Sequence, residues 1–177
     1  MIIFMGVAGA GKSVQGRMLA DEIGLPWLST GEFLRMLIAG ERRKEMLAGK
    51  LLKDEEIIAL VQKIFATVDT DHEFILDGFP RTVGQADWLL SQVKYGQLDV
   101  TGIVNLKASQ DVVRDRLLSR GRLDDSHEAI SERFKEYEET IVPILNQFKA
   151  ANVPVYDIDG QQPVMEVHQA IKEALKQ

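Results

Sequence analysis

The chain has 177 residues, a formal net charge of −6 and no cysteine. That length suits one domain with its own core, the missing thiols exclude disulfides and thiolate metal sites, and the acidic balance argues against general nucleic-acid binding, which needs an excess of Lys and Arg. No apolar run approaches the roughly 20 residues needed to cross a bilayer, and the chain opens without a charged leader or cleavage signal, so the expectation is a cytoplasmic monomer that acts on small molecules, with no membrane and no nucleic acid as partner.

The apolar run Met1-Ile2-Ile3-Phe4-Met5 reads as a buried strand, and Gly6-Val7-Ala8-Gly9-Ala10-Gly11-Lys12-Ser13 follows it directly and opens a helical pattern. Strand, glycine loop and helix form the context a P-loop requires. Glycines let consecutive backbone N–H groups curl round a phosphate, the helix start adds its positive dipole end, Lys12 reaches the β- and γ-phosphates, and Ser13 offers Mg²⁺ a hydroxyl. The loop therefore predicts a nucleoside triphosphate.

From Lys12 to Ile23 the spacing of Val14, Met18, Leu19 and Ile23 predicts the buried side of a helix that Gly24 stops. Trp27-Leu28 is at most a short strand. Ser29-Thr30-Gly31-Glu32 has the form of a helix start with Ser29 capping Glu32, and Arg35 falls one turn into that helix. The charged region from Gly40 to Lys53 predicts a short helix and loop, after which Asp54 is placed to cap a helix carrying Ile57, Ile58, Val61, Ile64 and Phe65. Residues 29–70 thus form a small helical insertion. Phe74-Ile75-Leu76-Asp77 is the next strand, Val83 to Val93 a helix, Gly102 to Leu106 a strand and Asp111 to Arg120 a helix. A long helix from Ile130 presents Ile130, Phe134, Tyr137, Ile141, Leu145 and Phe148 on one side. Val153 to Tyr156 is the last strand and Val164 to Leu175 the closing helix. This alternation implies an α/β fold, a doubly wound, parallel, five-stranded sheet with ligands at the carboxyl ends of its strands. His72, His127 and His168 lack metal-ligand spacing and read as surface residues.

Asp77-Gly78-Phe79-Pro80-Arg81-Thr82 supplies the second site element, because Asp77 ends a buried strand where a Mg²⁺-directed carboxylate is needed beside the loop. Taken with Ser29-Thr30-Gly31-Glu32 and Arg35, Gln85-Ala86-Asp87, Arg116, Arg120-Gly121, Arg122-Leu123-Asp124-Asp125, Arg133 and Asp159-Gly160, it makes the chain resemble adenylate kinases and their nucleoside monophosphate kinase relatives over nearly its whole length.

The resemblance implies phosphoryl transfer from MgATP to a nucleoside monophosphate, AMP in the first place. Thr30, Arg35, Gly78, Arg81 and Gln85 would bind AMP, with the two arginines on its phosphate and the Gln85 amide on adenine's edge. Gly9, Ala10, Gly11, Lys12, Ser13, Val14, Arg116, Arg120 and Gly160 would hold ATP, with Arg120 against its adenine. Lys12, Arg81, Arg122 and Arg133 would neutralise the transferring group, and Ser13 with Asp77 would bind Mg²⁺. The side chains suit these tasks, since Arg makes bidentate contacts to phosphate and a carboxamide donates and accepts at once.

The chain departs from the family pattern in four places. Ala8 stands where proline is usual, Ser13-Val14 replaces Gly-Thr, Gly84 replaces a proline, and the lid is reduced to a loop over residues 120–125. The loop itself is closer to that of gluconate kinases, so a small-molecule kinase of that kind is the alternative, and a nucleotide-binding regulator with weak turnover is another.

Overall fold

A computed structural model describes residues 1–38, 40, 52–68, 72–120 and 127–176, without the side chains of Arg120, His127 and Ala129. Strand β1 (Ile2–Gly6) is apolar at every position before its terminal glycine, and its pleat sends alternate residues to opposite faces. Ile2 and Phe4 join a core with Leu19, Ile75, Val104 and Ile171, while Ile3 and Met5 join a second with Leu28, Leu76, Leu89 and Phe148. A strand apolar on both faces must be covered on both, which is why the run shows no alternation.

The sheet orders β2 (Trp27–Ser29), β3 (Ile75–Asp77), β1, β4 (Gly102–Lys107) and β5 (Val155–Asp159) as β2-β3-β1-β4-β5, with every pairing parallel. This is the predicted doubly wound sheet. One face is covered by α1 (Lys12–Ile23), α5 (Gln110–Arg120), α6 (His127–Glu136) and α8 (Val164–Leu175). The other is covered by α3 (Asp54–Phe65), α4 (Val83–Lys94) and α7 (Val142–Ala150). Helix α2 (Thr30–Leu37) follows β2 directly, with Ser29 Oγ accepting from the Glu32 N–H at 3.4 Å as the sequence predicted.

Four local expectations need correction. In α1 the buried residues are Gln15, Gly16, Leu19 and Ala20, whereas Val14 and Ile23 are 51% and 46% exposed. Small residues let this helix sit close against β1 and β3, so its packing side is set by Gly16 and Ala20 rather than by its largest apolar groups. Helix α3 is capped at Lys53, leaving Asp54 inside the first turn with its carboxylate turned to other partners.

The long helix from Ile130 is three segments, with a π-helical turn at Tyr137–Ile141 between α6 and α7. Its stripe divides there: Ile130, Phe134 and Tyr137 pack in the core beneath α1, and Ile141, Leu145 and Phe148 in the core on the opposite face. The wider turn absorbs the change of face. Finally, His168 is buried, with its ring Nε2 2.6 Å from the Glu22 carboxylate, and Lys172 contacts the same carboxylate. The hydrogen bonds from Lys172 and His168 hold the Glu22 carboxyl below its usual range and tie α8 to α1. His72 is exposed as expected. The predicted helix and loop between Gly40 and Lys53 fall almost wholly outside the described residues, as does the lid loop after Arg120.

Candidate active site

Parallel pairing brings three strand ends to one place. Asp77 is in register with Phe4 of β1 on one side and with Ser29 of β2 on the other. The chain leaves β1 at Gly6, loops through Val7 to Gly11 and enters α1, whose N-cap Gly11 has φ 108°, a left-handed conformation that costs glycine little. The start of α1 therefore opens towards the carboxyl edge of the sheet, where its free N–H groups and dipole favour an anion. Lys12 curls back into this loop, its Nζ donating to Gly6 O at 2.7 Å and Val7 O at 3.0 Å.

Ser13 Oγ donates to Asp77 Oδ2 at 2.7 Å, across 64 residues of sequence. Asp77 is buried, at 4% exposure. The two oxygens are hard donors within reach of one another, which suits Mg²⁺: it accepts one or two protein oxygens and completes its shell with water and phosphate. Among the described residues no group of three or more His, Cys, Asp or Glu side chains could hold a metal by itself.

Facing the loop, Thr30 Oγ1 donates to Gly78 O at 2.7 Å and locks the start of α2 onto the turn after β3. Gly78 has φ 85°, and a Cβ there would stand 2.8 Å from Thr30 Oγ1 and 3.0 Å from Arg81 Nη2, so the turn takes glycine for space as well as conformation. Arg81 Nε donates to Gly78 O at 2.9 Å. Arg35 and Arg81 converge over Gly31: the point its Cβ would occupy is 3.4 Å from Arg35 Nη1 and 3.5 Å from Arg81 Nη2. Gln85 is buried behind this surface, with Oε1 accepting from the Arg81 N–H at 2.8 Å and Nε2 donating to Asp54 Oδ1 at 2.9 Å.

On the other side of the loop, Arg116 Nη1 donates to Gly160 O at 2.8 Å and lies 3.4 Å from Ala10 O, joining α5, the turn after β5 and the P-loop. Asp159 shapes that turn by accepting from Gln162 and from the backbone and side chain of Gln161, and these bonds keep its carboxyl below the usual range.

A cavity of about 510 Å³ runs along this edge. Of the predicted ATP-binding residues it is lined by Gly9, Ala10, Gly11, Lys12, Ser13, Val14, Arg116 and Gly160, and of the predicted AMP-binding residues by Arg35 and Arg81; Asp77 and Arg133 also face it. Thr30 and Gln85 do not, and Gly78 lines a smaller adjoining cavity of about 120 Å³ that Lys12, Arg81 and Arg133 share. The predicted role of Arg122 and the side chain of Arg120 lie outside the described residues. Sequence reasoning missed Gln15 and Gln162, which both line the larger cavity. Gln15 was placed there by its position two residues past Ser13, and Gln162 by the turn that Asp159-Gly160 announces.

A P-loop on the central strand of a parallel sheet, a carboxylate ending the neighbouring strand and cations facing both define a P-loop kinase fold. The sequence model of the family described as adenylate kinase matches residues 4–153. Among curated relatives, an adenylate kinase of Corynebacterium urealyticum is 34% identical over 96% of this chain and 95% of its own length. One from Corynebacterium glutamicum is 33% identical over 98% of both chains, and adenylate kinase 1 of a Synechocystis species is 34% identical over 99% of this chain and 96% of its own. The chain belongs to the adenylate kinase family.

Proposed function

We propose that the protein transfers the γ-phosphoryl group of ATP directly to AMP, giving two ADP. The observation that carries this reading is that one cavity is lined both by the P-loop with Lys12 and by the converging pair Arg35 and Arg81. Two guanidinium groups that converge on one point suit an anion there, and a monophosphate is an anion of matching geometry.

Catalysis on this reading is positioning and charge, with no covalent intermediate and no protein base. The amides from Gly9 to Gly11 hold the donor phosphates, Lys12 meets the β- and γ-oxygens, and Arg35 and Arg81 aim the acceptor phosphate in line. Arg81, Arg133 and Arg122 spread the charge of the transferring group. Gly160 and Arg116 shape the wall beside the loop, with Arg120 against the donor adenine. Thr30 keeps the Gly78 turn in place, and Gln85 reads the acceptor base. Mg²⁺, held by Ser13 and Asp77 directly or through water, would neutralise charge on the β- and γ-phosphates. The helical insertion over residues 29–70 carries the acceptor side and the loop over 120–125 serves as a minimal lid.

The test of the reading is coupled turnover with AMP, UMP, CMP, GMP and gluconate. AMP should be the fastest acceptor, and faster turnover of gluconate or UMP would sink the assignment. Ser13→Ala should raise the Mg²⁺ concentration needed for half-maximal rate, because a metal-directed hydroxyl is lost while the loop amides remain. An unchanged Mg²⁺ titration would move that role elsewhere.

A further inference from the structure

The carboxylate of Asp54, in the first turn of α3, reaches across to the Arg81 segment. Its Oδ2 accepts from Thr82 Oγ1 at 2.8 Å and its Oδ1 accepts from Gln85 Nε2 at 2.9 Å. Thr82 is also the N-cap of α4, accepting from the Gln85 N–H at 3.2 Å, so Asp54 grips the cap and the first turn of that helix together. A Cβ on residue 84 would stand 2.7 Å from Asp54 Oδ2, so a side chain there would press on the carboxylate and shift it.

The chemistry of these partners fixes which way the Gln85 carboxamide faces. The Arg81 N–H can only donate, so the atom before it must be Oε1; the Asp54 carboxylate can only accept, so the atom before it must be Nε2. Turning the amide over would set two donors against each other at Arg81 and two acceptors against each other at Asp54. One N–H and one oxygen lone pair of the amide stay outside these two bonds, in a fixed sense.

We infer that Asp54 is a specificity-determining residue, which selects a 6-aminopurine monophosphate over a 6-oxopurine monophosphate by holding the Gln85 amide in one orientation. The inference rests on the proposed role of Gln85 in reading the acceptor base. Adenine donates from its 6-amino group and accepts at N1, the pattern the fixed amide matches. Hypoxanthine accepts at O6 and donates from N1–H, and it can be matched only by the overturned amide, which Asp54 opposes. Asp54 touches no substrate in this scheme; it is a positioning residue acting through Gln85.

The experiment measures kcat/KM for AMP and for IMP, which differ only at these two positions, in the wild type, Asp54→Asn, Gly84→Ala and Gln85→Ala. An asparagine at position 54 can present either an N–H or a carbonyl to Gln85, so the AMP-to-IMP ratio should fall about tenfold, the scale of one mismatched hydrogen bond. Gly84→Ala, which crowds the carboxylate, should move the ratio in the same direction. General damage to folding lowers both rates together and leaves their ratio alone, so the readout survives partial unfolding. If Gln85→Ala collapses the ratio while Asp54→Asn and Gly84→Ala leave it at the wild-type value, control of orientation by Asp54 is overturned and base reading by Gln85 stands. If Gln85→Ala also leaves the ratio unchanged, both are overturned.

Discussion

Lys12→Ala should lower kcat by on the order of 10²-fold or more, the usual consequence of removing a preorganised charge that faces the transition state. The ammonium group lies within its own loop, bonded to the Gly6 and Val7 carbonyls, so it is anchored where the donor phosphates would sit. These bonds are to neutral carbonyls. An anionic phosphate is the stronger partner, and it gains charge on its bridging oxygen as the γ-phosphoryl group departs. The loss should therefore fall mainly on kcat, with a smaller rise in KM for ATP. The fold should tolerate the change, because the loop is held independently by the Ala10 N–H to Val7 O bond and by α1. Steady-state kinetics with thermal unfolding as control will decide it, and wild-type kcat in the variant would contradict the assigned role.

Arg81→Ala should be comparably severe, on the order of 10²-fold in kcat, and should also raise KM for AMP. Arg81 faces both cavities beside Lys12 and Arg133, and its head approaches that of Arg35 over Gly31. Its side chain is braced by Nε donating to Gly78 O, while its backbone N–H is held by Gln85. Alanine keeps the backbone bond, and Thr30 still donates to Gly78 O, so the loss falls chiefly on the guanidinium. Lysine at this position should rescue only part of the rate, because an ammonium cannot reproduce two parallel N–H contacts to phosphate while also holding Gly78. Full rescue by Arg81→Lys would mean that charge alone is used there.

The parallel sheet and the phosphate loop were legible because both rest on local signals: strands alternating with helices, an unbroken apolar run, glycines at fixed spacing and a helix start directly behind them; the strand order was not predicted. The Ser13–Asp77 contact was also legible, since a strand ending in Asp beside a P-loop leaves few other places for that carboxylate. The packing side of α1 was misread because apolar spacing weighs Val14 and Ile23 heavily and gives no weight to Gly16, although small residues decide how closely a helix can approach a sheet. The π turn at Tyr137–Ile141 leaves the apolar spacing looking like one continuous stripe, so the handover from one face of the sheet to the other does not show in the pattern. His168 could have been found: it stands three residues before the buried Ile171 and next to Val167, on the inner side of α8. Asp54 could not, because its partners Thr82 and Gln85 lie 28 and 31 residues away and meet it only through the fold.

The most direct test of phosphoryl transfer between two nucleotides is the AMP dependence and stoichiometry of ADP formation. Purified protein with saturating ATP and Mg²⁺ is followed for ADP and inorganic phosphate in parallel, with and without AMP. AMP should accelerate ADP formation many-fold, and nearly two ADP should appear per ATP consumed, with at most a minor release of phosphate. ADP formation that is indifferent to AMP, or that is matched throughout by an equal yield of phosphate, would contradict such a transfer.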